Sequence, residues 1–269
     1  MNIILCVCIV LIVFIFSVRG RVGCVGLTDL RGWRYAHRGL YGGEIPENSL
    51  EAFQRAVDQG YGAELDVHLM ADGELAVIHD SLLLRTTGRK GRVEELSAQL
   101  LNEYKLENTD HTIPLLRDVL KVFDGKAPLI IELKSSGKNT DALCRKTAEL
   151  LDDYHGVYCV ESFDPHCVLW FKKNRPNTIR GQLTQNYLKS TSSKLPLILK
   201  FIMRHQMLNF VTSPDFIAYR YSDRVTVSNF LCRKIWGMQG VTWTVKDHKE
   251  LDLAESEGWI SIFEGFEPQ

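Results

Sequence analysis

Two histidines, three carboxylates and two cationic side chains in this sequence have the types and spacing needed to cleave a phosphodiester with a divalent metal. His37 stands in His37-Arg38-Gly39 and His79 in His79-Asp80, and Glu64-Leu65-Asp66 lies between them. In an extended strand alternate residues share a face at ~6.5 Å spacing, so Glu64 and Asp66 point the same way and can converge on one cation. A third carboxylate, Glu132, ends another apolar run. Carboxylate oxygens are the ligands Mg2+ or Ca2+ prefers, and no Cys/His cluster at zinc spacing is present. Three carboxylates with one divalent ion still leave a site that repels an anionic diester. Arg38 and Lys134, adjacent to the proposed ligands, supply the missing positive charge and suit phosphate oxygens. Imidazoles with ordinary pKa values of ~6.5 can divide the proton transfers, one deprotonating the nucleophile and the other protonating the leaving alkoxide. Taken singly, each residue has a bland explanation: a histidine in a turn, a Glu-x-Asp on a solvated sheet face. Their ordered combination at strand ends does not.

That order resembles the glycerophosphodiester phosphodiesterase family, and specifically a bacterial, membrane-anchored member. The motifs that carry the resemblance are His37-Arg38-Gly39, Pro46-Glu47-Asn48-Ser49, Glu64-Leu65-Asp66-Val67, Asp72-Gly73, His79-Asp80, Arg85-Thr86-Thr87-Gly88, Ile113-Pro114-Leu115-Leu116, Glu132-Leu133-Lys134 and Trp243-Thr244-Val245. They run from about Tyr35 to the C-terminus. The resemblance implies that His37 and His79 are the catalytic pair, that Glu64, Asp66 and Glu132 hold the metal, and that Arg38 and Lys134 meet the phosphate. Met70-Ala71 departs from the family, which commonly has a Thr two residues before Asp-Gly; the position lies in a turn, away from the chemistry.

These side chains must be positioned by a scaffold. Apolar extended runs occur near residues 35–36, 63–67, 129–133, 157–161, 178–183, 216–219, 240–245 and 260–263, which makes eight. Amphipathic stretches such as 49–59, 141–154 and 248–257 lie between them, with Asn48 and Asp247 as expected N-caps. Eight strand–helix units read as an α/β fold, a (β/α)8 TIM barrel, whose active site is built at the carboxyl ends of the strands. Residues 74–79 read as an extra strand that forms a small inserted hairpin through the Asp72-Gly73 turn and swings His79 back over the metal. Residues 195–210 form an apolar stretch carrying Lys200, Arg204 and His205, preceded by Lys189 and Lys194. It reads either as a membrane-facing lip or lid that selects the alcohol group, or as a helix packed on the barrel wall.

Several other residues have two readings. His68 shares strand parity with Glu64 and Asp66, and is expected beside the metal ligands or at the surface rather than among them. Trp243 can wall a substrate pocket for glycerol or fill the core. Glu161 and Ser162 can complete a polar lining.

The N-terminus is of a different character. Residues 3–18 are an almost unbroken apolar run, which as a helix reaches ~24 Å against a hydrocarbon core of ~30 Å. Basic residues follow the run rather than precede it and no Ala-x-Ala occurs, which favours an uncleaved single-pass anchor over a secretory signal peptide. Residues 1–20 are thus expected as anchor or signal-like helix, 21–33 as linker and 34–269 as the barrel domain. Arg19, Arg21, Arg31 and Arg34 after the run place the catalytic domain in the cytoplasm by the positive-inside rule, with a secreted or extracytoplasmic protein as the alternative. Five cysteines outside the run, an odd number without regular spacing, agree with a reducing compartment. A formal net charge of −1 gives no global basic field and argues against nucleic acid as a partner.

As the resemblance implies, the expected activity is metal-dependent hydrolysis of a glycerophosphodiester to sn-glycerol 3-phosphate and an alcohol. Two alternatives keep the same barrel: a lysophospholipase D acting on lysophospholipids, and a non-catalytic, membrane-bound lipid-headgroup module. The last should have lost one of the two histidines or three carboxylates, and all five are present.

Overall fold

A computed structural model of the protein describes residues 3–189 and 195–268. Lys194, part of the basic stretch noted above, lies outside the described residues. Eight strands, β1 (Tyr35–His37), β2 (Gly62–Leu69), β4 (Leu129–Leu133), β5 (Tyr158–Ser162), β6 (Arg180–Thr184), β7 (Phe216–Arg220), β8 (Gln239–Val245) and β9 (Trp259–Phe263), pair in parallel and in order. The ring closes because β1 pairs with both β9 and β2. The remaining strand, β3 (Leu75–Val77), is antiparallel to β2 and forms the expected hairpin. Gly73 turns it with φ +85°, a conformation that favours glycine.

The strand pattern explains which side chains reach the barrel axis. In β4, Leu129, Ile131 and Leu133 pack outward under the helices, while Ile130 and Glu132 face the interior. In β2, Ala63, Leu65 and Val67 face out, so Glu64, Asp66 and His68 share the inner face. Parallel strands are covered on both sides, which is why both sets are buried. The interior is apolar at its base and polar at the carboxyl ends. Tyr35, Ile130, Cys159, Phe216, Val241 and Ile260 fill the base together with Leu27 and Leu30. These two leucines come from the stretch expected as a linker. Val25–Leu30 forms a 3-10 helix packed against the barrel base, where the Leu30 carbonyl accepts a hydrogen bond from the Tyr35 hydroxyl at 2.9 Å.

Ten helices are described: α1 (Ile3–Ser17), α2 (Leu50–Asp58), α3 (Leu84–Thr87), α4 (Leu116–Phe123), α5 (Thr140–Leu151), α6 (Pro165–Asn174), α7 (Leu197–Arg204), α8 (Asn209–Thr212), α9 (Val227–Phe230) and α10 (His248–Ser256). Asp247 caps α10, accepting from the Glu250 amide at 2.9 Å. The expected cap of α2 is corrected: Ser49 accepts the Ala52 amide, whereas Asn48 stands in the left-handed region (φ +54°) and sends its side chain to Asp66.

One further expectation, a helix long enough to span a membrane, is corrected below. Residues 195–210 hold α7 and the start of α8, which runs on to Thr212; α7 has no buried side chain and exposes Leu197, Ile198 and Phe201. The apolar N-terminal run is helical, but α1 has 15 residues, ~22 Å of rise, and among the described residues no helix is long and apolar enough to cross a membrane. Only the foot of α1 is packed. The Trp236 indole donates to the Ile15 carbonyl at 2.9 Å, Phe14 meets His205 edge-on, and Val18 is fully buried. Ile3, Ile4 and Val10, 66–79% exposed, face outward.

Candidate active site

Register brings the site together. The Cα of His37 on β1 is partnered with that of Glu64 on β2, and that of Asp66 with Glu132 on β4. Ligand oxygens of Glu64, Asp66 and Glu132 lie within 4.8 Å of one another, and all three residues are buried. Like charges this close cannot all remain ionised without a cation among them. Burial, reinforced by Asp66 and Glu132, pushes the Glu64 carboxyl far above the usual range. Asp66 goes the other way: burial opposes ionisation, but Lys134, His79 and Arg38 outweigh it and hold the carboxylate charged. The Lys134 ammonium stands 2.9 Å from Asp66 and 2.8 Å from Glu132. Three convergent oxygen donors with a net negative surplus fit a hard divalent cation.

Both imidazoles are tethered through Nδ1. His37 Nδ1 pairs with Glu264 at 2.6 Å and His79 Nδ1 with Asp80 at 2.7 Å. Both side chains line the cavity at the barrel mouth, and a carboxylate on Nδ1 leaves Nε2 as the nitrogen for proton transfer. Burial lowers both pKa values, against the raising influence of Glu264 on one and Asp66 on the other. The second tether is itself held. Arg85 pairs with Asp80 and, at 2.6 Å, with Glu47, which also binds Arg38 at 2.9 Å. Arg38 lies 3.5 Å from Asp66 and has φ +57°, and Gly39 follows with φ +81°. A Cβ at Gly39 would come within 2.8 Å of Ala52 on α2, so the His-Arg-Gly turn requires glycine.

The cavity has a volume of about 330 Å³. Its acidic half holds His37, Arg38, Glu64, His79 and Glu132; the other half is lined by Phe163, Gln185, Arg220 and Trp243. Trp243 sits beside a register shift in the β8–β9 pairing, stacks edge-on against Phe163 at 5.7 Å and carries the Arg220 guanidinium over its face at 5.2 Å. Glu161, in register with Glu132, is buried with one carboxylate oxygen unpartnered, and burial followed by repulsion from Glu132 raises its pKa well above normal.

His68 is not among the convergent oxygens. It is buried, with Nδ1 3.0 Å from Glu94 and Nε2 3.2 Å from the His79 carbonyl, so it braces the catalytic hairpin. Ser162 donates to the Leu133 carbonyl at 2.7 Å, a strand-to-strand tie rather than lining. Sequence reasoning gave no role to Glu264, Glu94 or Arg220. Glu47, Asn48 and Asp80 stood inside quoted motifs, and those motifs were the signal for them.

Residues 37–263 match the glycerophosphoryl diester phosphodiesterase family. A glycerophosphodiester phosphodiesterase of Bacillus altitudinis is 34% identical over 178 residues, 60% of this chain and 72% of its own length. A lysophospholipase D of Rattus norvegicus is 36% identical over 132 residues, 44% of this chain and 40% of its own. Among solved structures, an Oleispira antarctica phosphodiesterase in complex with the product sn-glycerol-3-phosphate has the same fold, with a TM-score of 0.67 at 22% identity over 86% of this chain and 92% of that one. Since the matched span begins at the first tethered imidazole and ends with the strand that closes the barrel, the chain belongs to the glycerophosphoryl diester phosphodiesterase family.

Proposed function

We propose that the protein hydrolyses glycerophosphodiesters to sn-glycerol 3-phosphate and an alcohol, with His37 and His79 as the acid–base pair. The observation that carries this is the meeting of three buried carboxylates with two carboxylate-tethered imidazoles in one cavity. Glu64, Asp66 and Glu132 would hold Mg2+ or Ca2+, which when bound supplies Lewis-acid polarisation of the phosphoryl group. Arg38 and Lys134 add the positive charge that draws the diester in. One imidazole accepts the proton of the attacking hydroxyl as its oxygen bonds to phosphorus. The other, protonated, gives its proton to the alkoxide as the phosphorus–oxygen bond breaks. Trp243 and Phe163 wall the organic part of the substrate, with Glu161 also lining the pocket.

His37→Ala and His79→Ala are each expected to cut kcat on glycerophosphocholine by about 10²–10⁴-fold. A chelator should abolish wild-type turnover, and Mg2+ or Ca2+ should restore it. Near-normal turnover in either variant would overturn the assignment.

A lysophospholipase D activity is the second reading. It is favoured by the named rat relative and by the apolar face of α7. Rates on glycerophosphocholine and lysophosphatidylcholine separate the two. The exposed side chains of α1 support membrane association, the helix dipping into one leaflet with the barrel on the cytoplasmic side, as the basic residues after it favour.

A further inference from the structure

A second cavity, of about 870 Å³, lies far from the barrel mouth, where α1 meets α6 and α8. Its walls have two characters. Val13, Phe16, Val22 and Phe210 line it with apolar surface, and each is 52–59% exposed. Arg19, Lys172 and Arg180 line it with positive charge, and no carboxylate is among its lining residues. None of these three cations has an ion pair among the described residues. Arg19 lies over the Trp236 ring at 5.0 Å, Lys172 donates to the Val211 carbonyl at 2.6 Å, and Arg180 donates to the carbonyls of Pro176 and Thr178. Arg180 is 2% exposed and its Nε has no partner. The nearby Asp215 is engaged by Arg21, at 2.8 Å, and by the Arg180 amide.

Such a groove matches an amphiphile with an anionic head and an apolar tail. Its apolar wall is continuous with the exposed surface of α1, since Val13 and Phe16 belong to both. We propose that this groove is a binding site for an anionic phospholipid of the membrane in which α1 lies, its phosphate among Arg19, Lys172 and Arg180 and its acyl chain along Val13, Phe16 and Phe210. The lipid is a docking ligand and not the substrate, because the groove shares no residue with the catalytic cavity. This inference rests on the membrane association proposed above and is independent of the catalytic reading.

Flotation of the full-length protein with phosphatidylcholine vesicles, with and without phosphatidylglycerol, tests it. Binding should be stronger to the mixed vesicles, and that preference should fade as salt is added. Arg19→Gln and Lys172→Gln should each weaken binding to the mixed vesicles by about fivefold, and the double variant by roughly 25-fold. Binding to phosphatidylcholine alone and turnover of glycerophosphocholine in detergent should be unchanged. Equal binding to both vesicles, or a preference that survives the double substitution, would overturn the site while leaving α1 as a membrane helix. Absence of flotation on either vesicle would sink both the helix reading and the site, with catalysis unaffected.

Discussion

Glu264 is the most consequential single residue that lies in no catalytic motif. Its carboxylate fixes His37 through Nδ1, and His37, Lys246 and Tyr41 in turn hold it well below the normal carboxyl range although burial works against them. Replacing it with Gln leaves a side chain of the same shape but loses the negative charge that stabilises the imidazolium and sets the tautomer. Glu264→Gln should therefore lower kcat by about 10²-fold with little change in KM, whereas a merely structural role would lower thermal stability instead. Steady-state kinetics beside a melting curve tell these apart. The five groups that meet at the barrel mouth were legible because strand parity and metal chemistry restrict them to few residue types. Glu264 was not, since 227 residues separate it from His37 and only ring closure brings them together.

The elements around the site act as braces, and their failures should be local. The 3-10 helix Val93–Glu95 presents Glu94 to His68 and Ser81, at 3.0 and 2.6 Å. Burial alone would raise that carboxyl, but the two hydrogen bonds hold it at about 2, against an ordinary 4.5. A carboxyl lowered on folding contributes stability that is complete above pH 4.5 and lost as the pH falls toward 2. Glu94→Gln should flatten the decline of Tm with acid across that window, as scanning calorimetry between pH 5 and 2 would measure. At the turn after β1, Gly39→Ala forces a Cβ onto Ala52 in a left-handed backbone. The cost is about 1–3 kcal/mol, a fall in Tm of roughly 5 °C, and displacement of Arg38 should raise KM as well. Strand positions were readable from periodicity to within a residue or two, whereas the helix expected to reach 154 ends at Leu151. The Asn48 cap was not, because a residue free to cap a helix had been drawn instead into the carboxylate cluster.

At the scale of the molecule, the cavity at the barrel mouth and the groove proposed to meet a membrane share no lining residue. Among the described residues, 3–12 contribute nothing to the cavity at the barrel mouth, and the packed foot of α1 begins only near Phe14. A chain lacking residues 1–12 should keep its kcat on glycerophosphocholine within about twofold and lose its binding to phosphatidylcholine vesicles, while the groove beginning at Val13 retains a weakened preference for anionic ones. Paired sedimentation and activity assays check this. That the apolar run folds as a helix clear of the barrel core was legible in its sequence; that its foot packs on Trp236 and His205 was not, because burial depends on partners that a linear pattern does not name.

The seam between β9 and β1 has one more effect, on when the enzyme can first work. A nascent chain that has already made both histidines and all three clustered acids still lacks the carboxylate that pairs with the first imidazole, because Glu264 is supplied just beyond the last strand. A chain that stops between Phe263 and Glu264 would hold every strand of the barrel and both histidines yet lack the partner of His37, and should hydrolyse glycerophosphodiesters about as slowly as the Glu264→Gln variant.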